Sequence, residues 1–229
     1  MPCTKDYTTA ELMTVTAAKE VRNGDIVFIG IGVPLIAGLL AKLTHAPQAT
    51  LIFEAGCIGP EPLRMVWFID DNGCHDQAIC ITTLSRVFSD MQRGYYDLGI
   101  LGAAQVDKHG NINSTMIEAP HLQVRLPGSG GGNDIGSSVY RLLIMAKLEK
   151  RRFVSHLDYL TTPGYLEGGN SRERAGLVGK GPIAVITDKC TFRFAEHTNE
   201  MILDSVYPDV KPEEVMREVS WDLKISPQI

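Results

Sequence analysis

The residue of this chain whose type and position best suit chemistry is Glu54. It directly follows Ala49–Phe53, an unbroken apolar run that predicts a buried strand, and Ala55-Gly56 come after it. In open α/β sheets, ligands bind beyond the carboxyl ends of the strands, so Glu54 is expected at the ligand-binding edge. The small residues after it would let a substrate approach closely. The alternative is a solvated loop acid or a partner for a helix N-terminus.

A glycine-rich loop, Gly128-Ser129-Gly130-Gly131-Gly132, could bind an anion. Successive glycines let backbone N–H groups converge on one oxygen, as they do in a nest or an oxyanion hole. The apolar run that follows predicts a helix, whose positive end would add to that field. The loop lacks the Gly-Lys-Ser/Thr ending of a phosphate-binding P-loop. A flexible loop without a ligand is the alternative interpretation.

Three other patterns are weaker indications of a site. The turn from Gly30 to Gly32 (GIG) follows a strand, as a dinucleotide-binding turn would, but Leu35 occupies the position of the third glycine, so we interpret it as a tight turn. Cys57 would be nucleophilic only with a lowered pKa, and no basic residue follows it before Arg64. The histidines show neither a catalytic triad nor the spacing of metal ligands, so no metal site is predicted.

The elements that must position these groups alternate between strands and helices. Strands are predicted at Asp25–Gly30, Ala49–Phe53, Ile79–Thr82, Leu98–Ala104, Arg152–Leu157 and Ile183–Thr187, with a hairpin of Cys190–Ala195 and Glu200–Val206. Helices are predicted at Thr9–Val21 (with Thr9 as N-cap), Pro34–Leu43, Leu84–Arg93 and Lys211–Val219, with Ser137–Leu148 as a helix followed by a strand and Thr162–Lys180 as a polar loop. This alternation predicts an α/β fold with a mainly parallel sheet and flanking helices. We find no linker or internal repeat, so residues 1–229 are predicted to form a single domain.

Composition excludes several classes of function. The chain has 229 residues, 44% of them hydrophobic, which suffices for a substantial core. Its formal net charge is −5, so we expect no nucleic-acid partner, since such proteins favour a basic face. No apolar run reaches the length of about 18 residues that predicts a membrane span, and the polar N-terminus shows no secretory signal. The cysteines match no zinc pattern, and we interpret them as reduced thiols of a cytoplasmic protein.

Several segments, taken in order, resemble the family I CoA-transferases. They are Gly30 to Leu35 (GIGVPL), Glu54 after its strand, Gly102 to Asp107 (GAAQVD), Gly110 to Thr115 (GNINST), Gly128 to Gly131 (GSGG), Glu149 to Phe153 (EKRRF), and Asp158-Tyr159 followed by Thr162 to Gly164 (TPG). The resemblance covers nearly the whole chain and is strongest to the β subunits of the glutaconate-acting members. Where the family has Glu-Ser-Gly, this chain has Glu54-Ala55-Gly56, so one hydroxyl group is missing.

The resemblance implies an open α/β fold and a covalent mechanism. The glutamate that attacks acyl-CoA in the family corresponds to Glu54, which would carry CoA as a glutamyl thioester. The loop from Gly128 to Gly131, with Ser129, would bind CoA or donate hydrogen bonds to the oxyanion. CoA is then a substrate, and no cofactor is expected. The family is commonly built from homologous α and β subunits as α2β2, so the implied partner is an α chain that supplies part of the pocket. Members usually continue with a C-terminal segment, so one beyond Ile229 is also implied.

Three alternatives stay open at this point. A relative with the same fold could hydrolyse or decarboxylate an acyl-CoA, although such members generally lack the glutamate. The chain could instead be a non-catalytic CoA-binding protein, or a sugar-phosphate isomerase, which would need a basic phosphate site. For a dicarboxylate such as glutaconate, Arg125, Arg172 and Arg174 are candidates to bind the far carboxylate, because arginine pairs with carboxylates through two parallel hydrogen bonds. A methylated, aromatic or 3-oxo acid is equally compatible with the sequence.

Overall fold

The computed structural model of the chain describes residues 7–30, 32–66, 68, 71–119, 122–227 and 229. Its helices are α1 (Thr9–Ala18), α2 (Val33–Leu43), α3 (Leu84–Gln92), α4 (Gly132–Ser138), α5 (Ser171–Arg174) and α6 (Pro212–Arg217), with a short 3-10 helix at Asn72–His75. Its strands are β1 (Ile26–Ile29), β2 (Thr50–Ile52), β3 (Cys57–Ile58), β4 (Cys80–Ile81), β5 (Leu98–Gly102), β6 (Gln105–Val106), β7 (Ile112–Asn113), β8 (Met116–Ala119), β9 (Leu122–Arg125), β10 (Arg141–Met145), β11 (Pro182–Ile186), β12 (Cys190–Phe194), β13 (Met201–Val206) and β14 (Lys224–Ile225). Cys3, His121 and Ile31, the centre of the predicted tight turn, lie outside the described residues.

A ten-stranded sheet in the order β14-β13-β12-β11-β10-β5-β1-β2-β3-β4 organises the fold. Its centre, from β11 to β2, is parallel throughout, whereas β3, β4, β12 and β13 pair with antiparallel neighbours. The predicted α/β fold with a mainly parallel sheet is therefore confirmed. Two small antiparallel pairs, β6-β7 and β8-β9, form separate sheets. No helix in the described part of the chain is long and apolar enough to cross a membrane.

The central strands are buried on both faces, which explains their continuous apolar sequences. Successive side chains of a strand point to opposite faces. Accordingly, Val27 and Ile29 of β1 pack in the core that α1 and α2 cover, whereas Phe28 packs in the core that contains residues of α3 and α4. Leu142 and Leu143 of β10 divide between the two cores in the same way. The parallel strands thus form a layer between helices, and their carboxyl ends define one edge.

Helix α1 is capped by Thr8 rather than by the predicted Thr9. The backbone N–H of Glu11 donates to the Thr8 hydroxyl at 3.2 Å, and the Glu11 carboxylate accepts from the Thr8 N–H at 2.7 Å. This reciprocal capping box requires a Glu or Gln three residues after the cap, and only Thr8 has that spacing to Glu11. The helix ends at Ala18, short of the predicted Val21.

Helix α4 lies in the glycine-rich segment, earlier than the predicted start at Ser137. Its side chains pack on Gly99 of β5, where a Cβ would lie 2.9 Å from Cγ2 of Ile135 and 3.2 Å from Cγ1 of Val139. This close packing on the sheet overrides the poor helix propensity of glycine. The remainder of the segment then forms the strand β10, as predicted.

The prediction of a strand at Arg152–Leu157 is wrong. Phe153 makes an isolated bridge with Val106, and its ring lies in the core, with its centroid 5.5 Å from that of Phe192 and 6.3 Å from that of Trp221. The burial of one aromatic side chain, rather than strand pairing, accounts for the apolar character of this segment. The other predicted strands and helices are present with shifted bounds, and the polar loop Thr162–Lys180 contains the short helix α5.

Candidate active site

Glu54 lies where the chain turns back from β2 into β3. The backbone N–H of Phe53 donates to the Cys57 carbonyl at 2.9 Å, and the Gly56 N–H donates to the Phe53 carbonyl at 3.0 Å. Gly56 has a φ of +119°, and a Cβ there would lie 2.2 Å from the carbonyl oxygen of Thr82. The tight turn therefore requires glycine. It holds Glu54, half-buried, at the carboxyl edge of the sheet.

The glycine loop folds against Glu54. A Cβ on Gly131 would lie 3.3 Å from Oε1 of Glu54, and a Cβ on Gly130 would lie 3.9 Å from the same oxygen. The Cβ on Gly131 would also lie 2.2 Å from Cζ of Phe88 in α3, which is a steric clash. Gly130 has a φ of +46°, a conformation that favours glycine. The two glycines thus leave room for both the carboxylate and the aromatic ring.

The charge of Glu54 is only partly compensated. Burial raises the pKa of the Glu54 carboxyl group, and the nearby backbone N–H of Gly131 offsets part of this rise. Among the described residues, no Lys, Arg or His forms an ion pair with Glu54. A carboxylate with a raised pKa is more basic than an exposed one, and a partly desolvated carboxylate is better suited to attack an electrophilic carbonyl group.

The other end of the glycine loop is fixed by Ser114. The Gly128 N–H donates to the Ser114 carbonyl at 2.9 Å, and the Ser114 hydroxyl donates to the Gly128 carbonyl at 2.9 Å. Ser129 is exposed, and its carbonyl accepts from the Gly132 N–H at 2.7 Å. Of the predicted loop residues, Gly130 and Gly131 therefore lie beside Glu54, whereas Gly128 and Ser129 connect them to their anchor.

Sequence reasoning missed two neighbours of this site. Phe88 looked like any apolar residue of a helix, and only its contact with the glycine loop distinguishes it. Ser114 belongs to the GNINST segment, whose resemblance to the family could have drawn attention to it. Both are close to Glu54 or its loop through long-range contacts that local sequence patterns do not encode.

The three candidate arginines differ in their surroundings. Arg172 is 5% exposed and donates to the carbonyl groups of residues 136, 163, 164 and 178. The hypothesis that it binds the far carboxylate of a substrate is therefore wrong, and the side chain instead supports the loop. Arg174 lines an open cleft of about 630 Å³ together with Asp107, Glu167 and others. Arg125 is exposed at the end of β9. The structure leaves Arg125 and Arg174 accessible to a ligand.

Cys57 does not have the properties of a reactive thiolate. It is 1% exposed, and burial raises the pKa of its thiol group. In the part of the chain that the structure describes, no three residues of the His, Cys, Asp and Glu types cluster as metal ligands would. Among the residues that the structure describes, Glu54 with its glycine loop is therefore the candidate site at this edge of the sheet.

Comparison with known proteins gives consistent matches. A family model described as coenzyme A transferase matches residues 10–218. The B subunit of the 3-oxoadipate CoA-transferase of Pseudomonas knackmussii is 41% identical over 225 residues, which cover 97% of this chain and 86% of that protein. The B subunit of the glutaconate CoA-transferase of Acidaminococcus fermentans is 37% identical over 228 residues, which cover 96% of this chain and 85% of that protein.

Solved structures agree with these matches. The crystal structure of glutaconate coenzyme A-transferase from Acidaminococcus fermentans superimposes with a TM-score of 0.90 at 37% identity, covering 96% of this chain and 86% of that chain. The decarboxylase AibA/AibB superimposes with a TM-score of 0.82 at 22% identity, covering 98% of this chain and 88% of that chain. At this lower identity the likeness concerns the fold alone.

Proposed function

The chain belongs to the coenzyme A transferase family, and we propose that it is the β-type subunit that carries the nucleophile, Glu54. In this proposal the enzyme moves CoA between an acyl-CoA and a carboxylic acid through a glutamyl-CoA thioester. The observation that carries the proposal is the half-buried Glu54 carboxylate, which has a raised pKa and lies beside the backbone of Gly131. A carboxylate in this setting is suited to covalent catalysis.

The reaction would proceed by exchange of acyl groups on Glu54. The carboxylate attacks the thioester carbonyl carbon of acyl-CoA, and the tetrahedral intermediate expels the CoA thiolate to leave an acyl-glutamyl anhydride. The thiolate then attacks the glutamyl carbonyl carbon, which releases the first acid as its carboxylate and leaves CoA on Glu54. A second carboxylate reverses these steps and leaves as the new acyl-CoA. Each step exchanges one nucleophile for one leaving group, so no cofactor is required.

The glycine loop would stabilise the charge that develops on the glutamyl oxygen. The backbone N–H of Gly131 already lies beside the Glu54 carboxylate before reaction, where it favours the charged form. When the thiolate attacks the glutamyl carbonyl, that oxygen becomes an oxyanion, and a fixed donor lowers the barrier without reorganisation. Gly130, whose Cβ position is 3.9 Å from Oε1 of Glu54, is the candidate for a second donor. A carboxylate is a weak nucleophile, so binding of the remote parts of CoA would supply much of the remaining rate.

We further propose a homologous α subunit as partner, in an α2β2 assembly. The two similar proteins are named as the B subunits of a 3-oxoadipate and a glutaconate CoA-transferase. Both of those acids carry two carboxylate groups, so a dicarboxylate is the proposed acid substrate of this chain. Its far carboxylate would be held by Arg125, by Arg174 or by residues of the α subunit.

The test is covalent labelling of Glu54. The chain would be co-expressed with its α partner, and the complex would be incubated with acyl-CoA without an acceptor acid and then treated with borohydride. Reduction of a glutamyl-CoA thioester to the alcohol would appear by mass spectrometry at Glu54 and be absent from Glu54→Gln. Glutaconate, 3-oxoadipate and monocarboxylates would then be compared as acceptors by kcat/KM.

Two outcomes would overturn parts of this proposal. An unchanged Glu54 together with consumption of acyl-CoA would exclude the transferase mechanism and favour hydrolysis or decarboxylation on the same fold. Labelled Glu54 with equal kcat/KM for monocarboxylates and dicarboxylates would keep the mechanism and exclude the dicarboxylate specificity.

A further inference from the structure

A chain of hydrogen-bonded polar side chains, buried or half-buried, leads to the glycine loop. Thr161 lies at its centre and is 2% exposed. Its hydroxyl oxygen accepts the Ser114 N–H at 2.9 Å and shares a hydrogen bond of 2.8 Å with the Thr115 hydroxyl. It lies 3.5 Å from Oδ1 of Asn113, to which it donates. One hydroxyl group therefore joins three consecutive residues of the segment that holds the loop.

The side chain of Asn113 also fixes this segment. Asn113 is fully buried, and its amide group donates to Oε1 of Gln105 at 2.7 Å and to the Met116 carbonyl at 2.6 Å. Gln105 in turn donates to the Asp158 carboxylate at 2.7 Å. Buried amides with all hydrogen bonds made hold a single geometry, because any shift leaves a polar group unpaired.

From Ser114 the same path reaches the nucleophile. Ser114 exchanges two hydrogen bonds of 2.9 Å with Gly128, and the loop from Gly128 leads within three residues to Gly131, whose Cβ position is 3.3 Å from Oε1 of Glu54. Thr162, which follows Thr161 in the chain, packs on the start of α4, since a Cβ on Gly132 would lie 2.7 Å from the Thr162 hydroxyl oxygen. The path therefore approaches the loop from both of its ends.

We propose that Thr161 is a positioning residue, whose hydroxyl group sets the glycine loop so that the Gly131 N–H points at Glu54. This inference rests on the proposed function, and it adds a residue that touches neither the substrate nor the nucleophile. Its physical basis is geometric, because the hydroxyl satisfies the Ser114 N–H, and Ser114 fixes the loop through Gly128. Without the hydroxyl, the Ser114 N–H is left without its partner and the segment moves to find another.

The test compares Thr161→Val with Thr161→Ser in the complex with the α subunit. Valine has nearly the same shape and lacks the hydroxyl, whereas serine keeps it. We expect Thr161→Val to lower kcat by roughly 10- to 100-fold, the range for misplacement of a catalytic group by a distant change, with KM for acyl-CoA altered less than 2-fold. Thr161→Ser should restore kcat. Ser114→Ala should act in the same direction as Thr161→Val, since it removes the next bond of the path.

Thr187 provides the matched control. Its hydroxyl is also fully buried and accepts the backbone N–H groups of Lys189 at 3.1 Å and Cys190 at 2.9 Å. It follows β11, four strand positions from β2 in the sheet, hence ~19 Å away at the usual strand spacing. Thr187→Val should cost comparable stability and leave kcat within 2-fold of the wild type.

A second readout requires no turnover. The infrared band of the protonated Glu54 carboxyl group, assigned by its absence from Glu54→Gln, would be titrated in each variant. Loss of the Gly131 hydrogen bond removes an interaction that favours the carboxylate, so Thr161→Val should titrate at higher pH than the wild type, and Thr187→Val should not. Equal losses of kcat in the two valine variants, or an unchanged titration in Thr161→Val, would overturn the positioning role. A wild-type complex without transferase activity would instead refute the proposed function, while this titration would still decide the role of Thr161.

Discussion

The loop of residues 128–132 and the loop of residues 162–181 are both rich in glycine, yet glycine has a different task in each. In the longer loop the missing side chains let backbone pack on backbone. A Cβ on Gly179 would lie 2.3 Å from the Val139 carbonyl oxygen, and a Cβ on Gly164 would lie 2.3 Å from the Gly110 carbonyl oxygen. In the shorter loop the absent Cβ of Gly131 leaves room for an aromatic ring and a carboxylate.

The charged groups Arg172, within the longer loop, and Glu54, against which the shorter loop folds, show the same contrast. The guanidinium group of Arg172 is buried, and its two terminal nitrogens donate to four backbone carbonyl groups. The carboxylate of Glu54 has the backbone N–H of Gly131 beside it and is half-buried. Burial disfavours both charges, but four backbone acceptors hold the guanidinium group of Arg172 in place, whereas the sparse surroundings of the Glu54 carboxylate leave it available to a further partner. Glycine content alone does not distinguish these two situations.

The largest expected difference between the loops is in their response to alanine. Gly131→Ala should lower kcat/KM by roughly 10²- to 10³-fold, because its Cβ would overlap Phe88 and displace the donor to Glu54. Gly176→Ala in the longer loop has open space around its Cβ and a φ of +71°, so it should cost about 1–2 kcal/mol of folding free energy and leave kcat/KM unchanged. Steady-state kinetics and thermal unfolding of both variants provide the measurement.

Introducing Gly131→Ala into a Phe88→Ala variant distinguishes steric displacement of the loop from a loss of its flexibility. Removing the ring makes room for the Cβ at residue 131, so Gly131→Ala should cost less in this background than in the wild type. Equal costs in the two backgrounds would mean that Phe88 does not determine the position of the donor, since independent sites give additive effects.

The pH dependence of kcat/KM should reflect the raised pKa of the Glu54 carboxyl group. Transfer requires ionised Glu54, and its pKa is raised, so the rate should fall as the pH decreases through a value above the ordinary glutamate pKa of about 4.3. Gly176→Ala should leave this acid limb in place, whereas Gly131→Ala should move it to higher pH. An acid limb at or below the ordinary value in the wild type, measured where circular dichroism shows the folded protein, would contradict this assignment.

The sequence predicts much of the layer that carries the site. Apolar runs identify β1, β2, β5 and β11, and the run before Glu54 correctly places that carboxylate at the carboxyl end of its strand. The position of helix α4 could not be predicted, because its start in the glycine-rich segment depends on Ile135 and Val139 packing on Gly99 of β5. The order of the strands is also hidden, since β5 lies between β1 and β10 through contacts that no local pattern encodes.

The same distinction between local and long-range determinants applies to the site. Residue type and spacing indicate Glu54 and the glycine loop, whereas the partners that fix them, Phe88, Ser114 and Thr161, come from other parts of the chain. Arg172 shows the converse error, because its position in a polar loop favoured an exposed residue and only the structure reveals four carbonyl groups around it. That the chain folds as a single domain, and that Glu54 reacts, stay predictions.

The smallest expected effect concerns stability, and substitutions of Glu54 and Arg172 should change Tm in opposite directions. The folded-state pKa of Glu54 is raised, so the stability that its neutral form contributes is complete below the ordinary glutamate pKa and is lost as the pH rises through the folded-state pKa. Glu54→Gln carries no charge and avoids this loss, so its Tm should exceed that of the wild type at pH 8 and match it near pH 4. We expect less than the roughly 2–4 °C that 1 kcal/mol produces, since water screens the half-exposed carboxylate. Arg172→Gln should lower Tm at both pH values, because backbone carbonyls lose their donors. A Glu54→Gln variant less stable than the wild type at pH 8 would contradict the prediction for Glu54 and show that the carboxylate supports the fold.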